Sequence, residues 1–515
     1  MRILAPENTA SKLCNQMKKK IYATTSIAYV NDAPHLGYAL ELIQADAWVR
    51  FFRQQGKEVY FLTGVDEHGV KIVRTAEAQG KTPEQLVDEN SEKFRDLKNL
   101  LNLSWDDFIR TSDKKRHWSG AQKIWQQLAA AGDIYKKKYR GLYCVGHEAF
   151  ITEKDLVDGK CQDHQKEPEV IEEENWFFKL SKYSKEIEKR IKNDELKIIP
   201  ESRKNEILSL LKEGLEDVSF SRPSKDLAWG VPVPDDETQT MYVWCDALVN
   251  YISAIGYGQP ENYKLPITNY QFNELWPADI HFIGKDILRF HAAIWSAMLL
   301  SAGLELPKSI FVHGFITSNG QKMSKSIGNV VSPVELVEKY GVDAVRYYLL
   351  REIPSYGDGD FSYKKFEERY NGELANGLGN FSARVLTLAS RDTNISTYGR
   401  SPEGRQIRAN DTNKEILDKI SETKKLVEQK IDEFKFNEAI SAIWELISFG
   451  DNYVNQTKPW ENPESKKSEI ADLVIILENV AELISPFLPE TSEKILKNIK
   501  SGKIIKGENL FPRLN

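Results

Sequence analysis

Cysteine is scarce in this chain: Cys14, Cys144, Cys161 and Cys245 are the only four in 515 residues. That excludes a disulfide framework and matches the thiol usage of a reducing cytoplasm. Long apolar runs are absent as well. No stretch of about 18 or more apolar residues occurs, so no membrane span is expected. Mean hydropathy is −0.48. The opening MRILAPENTASKLCNQ lacks the apolar core of a signal peptide, and Met1 to Gln16 reads as a tail ahead of Met17. Excess positive charge is missing too. Lys plus Arg number 70 against 76 Asp plus Glu, a net charge of −6. This argues against broad nonspecific nucleic-acid binding but leaves room for local basic patches. Lys114-Lys115-Arg116 and Lys136-Lys137-Lys138 with Arg140 are candidates, and a solvated charged face accounts for either equally well.

What is present is a soluble composition, 41% hydrophobic and 28% charged, in a chain long enough for two to four domains. Ile21 to Thr25 reads as a strand, followed by the turn-prone AYVNDAPHLG. Leu40, Ile43, Trp48 and Phe52 then recur at helical spacing until Gly56, and Val59 to Thr63 is again a strand. This order opens a parallel α/β sheet. It resumes late, with Ile280 to Ile283 a strand, Ile287 to Leu300 a helix and Ile310 to Val312 a strand. Between the halves, from about Tyr135 to Arg222, cysteines, histidines and many charges mark an inserted module. After about Lys364 helical patterns take over, such as Ile416 to Phe434 and Ile470 to Ile484, and predict a helical bundle.

Two motifs fall at strand-to-helix or strand-to-loop junctions. Pro34-His35-Leu36-Gly37-Tyr38 precedes a helix, whose unpaired N–H groups and positive dipole end suit phosphate. Lys322-Met323-Ser324-Lys325-Ser326 is bracketed by Gly320 and Gly328, and its lysines would neutralise a pyrophosphate leaving group. Either alone is weak. A third pattern, Cys144-x2-His147 and Cys161-x2-His164, has the paired spacing of tetrahedral zinc, with all four positions filled as in a structural site.

In this order the first two motifs resemble the HIGH and KMSKS motifs of class I aminoacyl-tRNA synthetases. YVNDAPHLGY, FLTGVDEHG, YVWCDALVNY, HFIGKDILRFH and HGFITSNGQKMSKSIGN resemble the methionyl-tRNA synthetase family within that class. The resemblance runs from about Lys18 to the C-terminus. It implies a split Rossmann-like parallel-sheet catalytic domain with a zinc-knuckle insertion, followed by an all-α anticodon-binding bundle. The expected division is a tail at 1–16, the catalytic halves at 17–134 and 226–330, the insertion at 135–225, a stem-contact linker at 331–363 and the helical domain at 364–515.

By resemblance, His35, Gly37, Tyr38, Lys285, Asp286, Lys322 and Lys325 meet ATP, with His35, Lys322 and Lys325 catalytic. Asp66 holds the methionine ammonium. Ile27, Trp244, Ala247, Leu248, Tyr251, Ile287, His291 and Trp295 line the side-chain pocket, with Tyr251 and His291 facing sulfur. Tyr38 stands where the motif has its second histidine, and Leu248 where the family often has proline. The similar zinc knuckle usually has cysteine at the position of His147. Asn376, Asn380 and Arg384 fall at i, i+4 and i+8, and Asn380, Arg384 and Trp460 match anticodon-reading positions. The implied reactants are ATP with Mg²⁺, L-methionine and tRNA(Met), in a cytoplasmic monomer with one structural Zn²⁺. The alternatives are a class I synthetase for leucine, isoleucine, valine or cysteine, a catalytically dead synthetase-like RNA-binding protein, or a nucleotidyltransferase acting on a small metabolite.

Overall fold

The computed structural model describes residues 20–146, 148–151, 153, 156–162, 165–260, 262–265, 269–323, 329–391, 413–501, 503–507 and 509–514. The expected tail at 1–16 lies outside them.

Seven strands form one parallel sheet: β1 (Ile21–Thr25), β2 (Ala28–Tyr29), β3 (Val59–Asp66), β4 (Asp107–Arg110), β5 (Lys197–Ile199), β6 (Ile280–Gly284) and β7 (Ser309–His313). Their order is β5-β7-β6-β1-β3-β2, with β4 also paired to β3. Every residue of β3 is buried, as a parallel strand covered on both faces requires. β1 sits between β6 and β3, with Ala23 opposite Ile280 and Ile21 opposite Val59. From β1 the chain crosses to β3 through α1 (Leu36–Gln54), whereas β6 crosses the other way to β7. The crossovers diverge at the β1/β6 boundary. The crevice beyond the carboxyl ends of those two strands is where such sheets bind ligands.

The helix expected over Ile287 to Leu300 is divided: a 3₁₀ turn at Lys285–Ile287, a π-helical turn at Phe290–Trp295 and an α-helical end at Ser296–Ser301. Edge strand β5 comes from the middle of the stretch 135–225. The rest of that stretch holds a four-stranded antiparallel sheet, ordered Val218–Ser219, Glu169–Phe178, Ile134–Cys144 and Ala149–Ile151.

Helix α2 (Val342–Arg351) leads into α3 (Asn380–Ala389), α4 (Lys414–Asp432), α5 (Phe436–Thr457), α6 (Lys467–Ile484) and α7 (Pro489–Ile499). This bundle shares a core with the sheet: the Phe311 ring of β7 stacks on Phe434 with centroids 4.9 Å apart. The joint is reinforced by Arg346 of α2, which is fully buried. Its guanidinium pairs with Asp46 of α1 at 2.7 Å and donates to the carbonyls of Phe487 (2.9 Å), Pro486 (3.0 Å) and Leu101 (3.1 Å).

Candidate active site

A cavity of about 600 Å³ opens at the β1/β6 switch point. Ile27, His35, Gly37, Tyr38, Asp66, Trp244, Ala247, Leu248, Tyr251, Asp286, Ile287 and His291 all line it. The sheet and one helix N-terminus thus gather segments far apart in sequence.

At the phosphate-like end, His35 is the N-cap of α1, and its Nδ1 accepts from the Gly37 N–H at 3.1 Å. Desolvation by the cleft walls lowers its pKa, against opposition from Asp286 and Asp32. A neutral ring that accepts at Nδ1 carries its proton on Nε2, free to donate. A Cβ on Gly37 would lie 3.0 Å from the His35 ring, so glycine keeps room for the imidazole. Tyr38 turns its hydroxyl back to β3, 3.2 Å from Thr63 Oγ1 and 3.4 Å from the Gly64 carbonyl.

Sequence reasoning missed Glu41 and His313, which complete this end. Glu41 Oε1 accepts from the Ser26 N–H (2.9 Å) and hydroxyl (2.6 Å), and its Oε2 meets His313 Nε2 at 2.9 Å. His313 Nδ1 donates to the Gly314 carbonyl at 2.8 Å. Burial opposes charge on His313, but Glu41 and that carbonyl outweigh it and raise its pKa. The cleft wall therefore gains a second imidazole, its two N–H groups already committed to Glu41 and the Gly314 carbonyl.

At the other end Asp66 is buried, and its pKa is raised well above the carboxylate range. Burial is the main cause, then Asp246 and Glu148. Its carboxylate accepts a long bond from the His68 N–H, 3.4 Å, and pairs with no cation among the described residues. Beneath it, Asp246 is held between His68 Nδ1 (2.5 Å) and His117 Nε2 (2.6 Å); His117 Nδ1 meets Ser253 at 2.8 Å. Burial would raise the Asp246 pKa, yet the two histidines bring it down to about 2. Asp246 therefore stays ionised and crowds Asp66 with negative charge. Glu148, from the insertion, accepts from the hydroxyls of Tyr29 (2.9 Å) and Tyr143 (2.7 Å), and from the N–H groups of Val70 and Lys71 that begin a helix. No sequence signal pointed to it.

The apolar floor is built on Tyr251 and His291. His291 Nδ1 faces the Ile287 carbonyl at 2.9 Å and must donate to it. Burial lowers the His291 pKa to about 4, so the ring is neutral and Nε2 accepts from the Tyr251 hydroxyl at 2.7 Å. Trp244 stacks on Phe290 with centroids 3.8 Å apart. Trp295 is fully buried behind Tyr251, 6.1 Å between rings, rather than in the wall. Lys285 is likewise outside the wall, and its ammonium pairs with Asp358 at 2.7 Å. Lys322 ends a short strand paired with Ile316–Ser318, while Lys325 lies outside the described residues.

Of the four expected zinc ligands, Cys144 and Cys161 are buried, and His147 and His164 lie outside the described residues. Each Cys-x2-His unit is followed by a residue of positive φ, Glu148 at 53° and Gln165 at 52°. In the bundle, Arg384 donates to Asp451 (2.9 Å) and Asn455 (2.7 Å), and its guanidinium lies 5.9 Å from the centre of the half-exposed Trp460 ring. Asn380 is exposed one turn away. Asn376 is exposed like Asn380. A π-helical turn, Tyr370–Gly379, precedes α3, and Asn376 Oδ1 accepts both bonds from Arg513, 2.7 and 3.0 Å.

A split parallel sheet with its cleft at the switch point, a histidine-capped helix in that cleft and a helical bundle behind it define a class I tRNA synthetase. The family model described as "tRNA synthetases class I (M)" matches residues 21–166 and 152–386, and "Anticodon-binding domain of tRNA ligase" matches 413–513. The methionine–tRNA ligase of Brucella suis is 42% identical over 487 residues, covering 93% of this chain and 91% of the relative. That of Caldanaerobacter subterraneus is 41% identical, covering 97% and 80%. The structure of Mycobacterium tuberculosis methionyl-tRNA synthetase in complex with methionyl-adenylate superposes with a TM-score of 0.85. It is 38% identical and covers 96% of this chain and 100% of that one. The chain belongs to the methionyl-tRNA synthetase family.

Proposed function

We propose that this chain is a methionine–tRNA ligase. It activates L-methionine with ATP to methionyl-adenylate and transfers the methionyl group to the 3′ end of tRNA(Met), releasing pyrophosphate and AMP. One observation carries the reading: a buried carboxylate with no cation partner among the described residues, Asp66, shares a cavity with His35 at a helix N-terminus. An α-amino acid supplies the missing ammonium, and a nucleotide supplies the phosphates.

In the first step a carboxylate oxygen of methionine attacks the α-phosphorus in line, and the bond to the pyrophosphate oxygen breaks. His35, through Nε2–H, stabilises the charge that builds on the phosphates, and Lys322 and Lys325 neutralise the pyrophosphate leaving group. Mg²⁺ enters with ATP. In the second step a terminal ribose hydroxyl of the tRNA attacks the activated carbonyl and AMP leaves. Positioning and fixed charge suffice, and no side-chain nucleophile is needed.

The thioether side chain lies on Tyr251, His291 and Trp244. With the His291 proton committed to Ile287, the Tyr251 hydroxyl is the donor that can turn to sulfur. Asn380, Arg384 and Trp460 meet the anticodon, where an exposed indole beside a guanidinium suits an unstacked base.

Cys144, His147, Cys161 and His164 would hold one structural Zn²⁺, which would tie the loops of the insertion together. Two buried thiols, each opening a tight turn, fit a closed site of this donor set. The enzyme works as a cytoplasmic monomer. Among the described residues no helix is long and apolar enough to cross a membrane.

Amino-acid-dependent ATP–pyrophosphate exchange tests the reading, with methionine, leucine, isoleucine, valine and cysteine run in parallel. Exchange with methionine alone is expected. Exchange with another amino acid would overturn the assignment of Tyr251 and His291. None with any, in folded protein, would favour a scaffold that has lost its chemistry.

A further inference from the structure

A second cavity, of about 650 Å³, lies between the insertion and the segment that follows β6. It shares Asp286 and Phe290 with the first cavity, so the two are neighbours. Its far wall resolves the lysine-rich run of the sequence. Alternation along Ile134–Cys144 puts Tyr135, Lys137, Tyr139 and Tyr143 on one face, and all four line the cavity. Lys136 faces the other way and pairs with Asp236 at 2.8 Å. Lys137 has no acidic partner among the described residues, and its ammonium stands over Phe177 and Tyr139, 5.3 and 5.6 Å from their ring centres.

Two arginines line the same cavity as Lys137. Exposed Arg289 has no acidic partner among the described residues. Buried Arg222 gives Nε and Nη2 to Glu173 (2.9 and 2.7 Å), and its buried Nη1 has no acceptor. Acids are present as well. Asp217 is taken up by the Tyr135 hydroxyl (2.8 Å) and by Ser181, leaving Glu216 and Asp286 exposed at the rim.

Flat aromatic walls, two unneutralised cations and a buried N–H without an acceptor are together the chemistry of nucleotide binding. Bases stack on tyrosine and phenylalanine, and phosphates take charge-assisted bonds. We propose that this cavity binds a nucleotide unit, its base against Tyr135, Tyr139 and Phe290 and its phosphate on Lys137 and Arg289. The inference builds on the proposed function, because Asp286 and Phe290 connect the cavity to the reaction centre. The nucleotide is either a single-stranded end of the RNA substrate or a free mononucleotide.

The test uses the full-length enzyme with the first cavity filled by methionyl-adenylate formed in place. Equilibrium dialysis measures binding of CMP and of a single-stranded four-residue oligocytidylate to wild type, Lys137→Glu and Arg289→Ala. Oligonucleotide binding weakened tenfold or more in both variants, with methionine-dependent exchange unchanged in Lys137→Glu, is the expected result. Equal loss for CMP would identify a free mononucleotide as a sufficient ligand, and oligonucleotide binding without CMP binding would identify an RNA strand. Binding that is absent in wild type, or equal in wild type and both variants, would overturn the proposal. Failure of exchange in wild type would instead count against the reading of the first cavity, and the dialysis would still decide the second.

Discussion

Asp66 is costly to keep ionised, and its cost and its use have one origin. Its folded-state pKa lies above the unfolded value because burial and the ionised Asp246 below it disfavour a second negative charge. For an acid raised in this way, stability is fully present below the unfolded pKa and is lost as pH rises through the folded pKa. Asp66→Asn should therefore stabilise the ligand-free protein at pH 7 by on the order of 1 kcal/mol, read as a higher melting temperature. The same change should lower kcat/KM for methionine roughly 100-fold or more, because the ammonium loses a buried partner. A fall in both quantities would mean that Asp66 is structural. As pH drops through the raised pKa, KM for methionine should climb while KM for ATP holds. His291, with a pKa lowered to about 4, stays neutral in the folded protein above about pH 5 and adds nothing to this KM profile there. Tyr251→Phe removes the donor to His291 Nε2, and a roughly tenfold loss in methionine discrimination is expected from one missing hydrogen bond. Parallel exchange assays with methionine and leucine would measure it.

At the scale of single elements, legibility in the sequence followed the range of the interaction that fixes each feature. β1, α1, β3 and β6 announce themselves by periodicity, and the structure places them within a few residues of the expected limits. The division of the helix after β6 did not show, because π turns leave the apolar spacing almost unchanged. Motif strings pointed to His35, Asp66, Tyr251 and His291, which line one cavity, since each sits at a strand end or on a helix next to its neighbours in the string. Glu41, His313 and Glu148 went unread. Glu41 and His313 are 272 residues apart and meet only when β7 comes to rest near α1. Glu148 reaches the start of another helix from within the insertion, so its role exists only in three dimensions. Among the elements, the corner after α5 carries a prediction. Lys458 adopts a left-handed conformation, φ 44°, which ends the helix and turns Trp460 out beside Arg384. Trp460→Ala should lower aminoacylation by 100-fold or so if the indole stacks on an anticodon base, with exchange within twofold of wild type. Equal losses in the two assays would remove the anticodon role. In the insertion, Cys161→Ser should release one equivalent of zinc, read by elemental analysis. Wild-type protein without zinc would show that the knuckle no longer binds metal.

Across the whole molecule, Arg346 is the group on which catalytic and helical parts converge. Asp46, its partner, sits on the helix that His35 caps and also accepts from the Ser104 N–H (2.7 Å), its hydroxyl (2.6 Å) and Arg50 Nε (2.7 Å). The carbonyls of Pro486 and Phe487, between α6 and α7, fix the other side of the guanidinium. A buried ion pair of this kind adds little net stability over an apolar pair, but breaking it by removing one partner costs about 3–5 kcal/mol. Its geometric consequence is firmer: five planar donors set α1, α2 and the α6–α7 corner in one relative orientation. Arg346→Lys keeps a charge opposite Asp46 but cannot reach three backbone carbonyls at once. It should lower the melting temperature modestly and leave methionine-dependent exchange within twofold, while kcat/KM for tRNA falls fivefold or more. The bundle would still fold, yet present Arg384 and Trp460 at a variable distance from the reaction centre. A tRNA whose anticodon has been altered should lose less, because it draws little on that distance. If exchange and aminoacylation fell together, or if both tRNAs lost equally, Arg346 would be a support for local packing and not the joint that sets the distance between the two ends of the substrate.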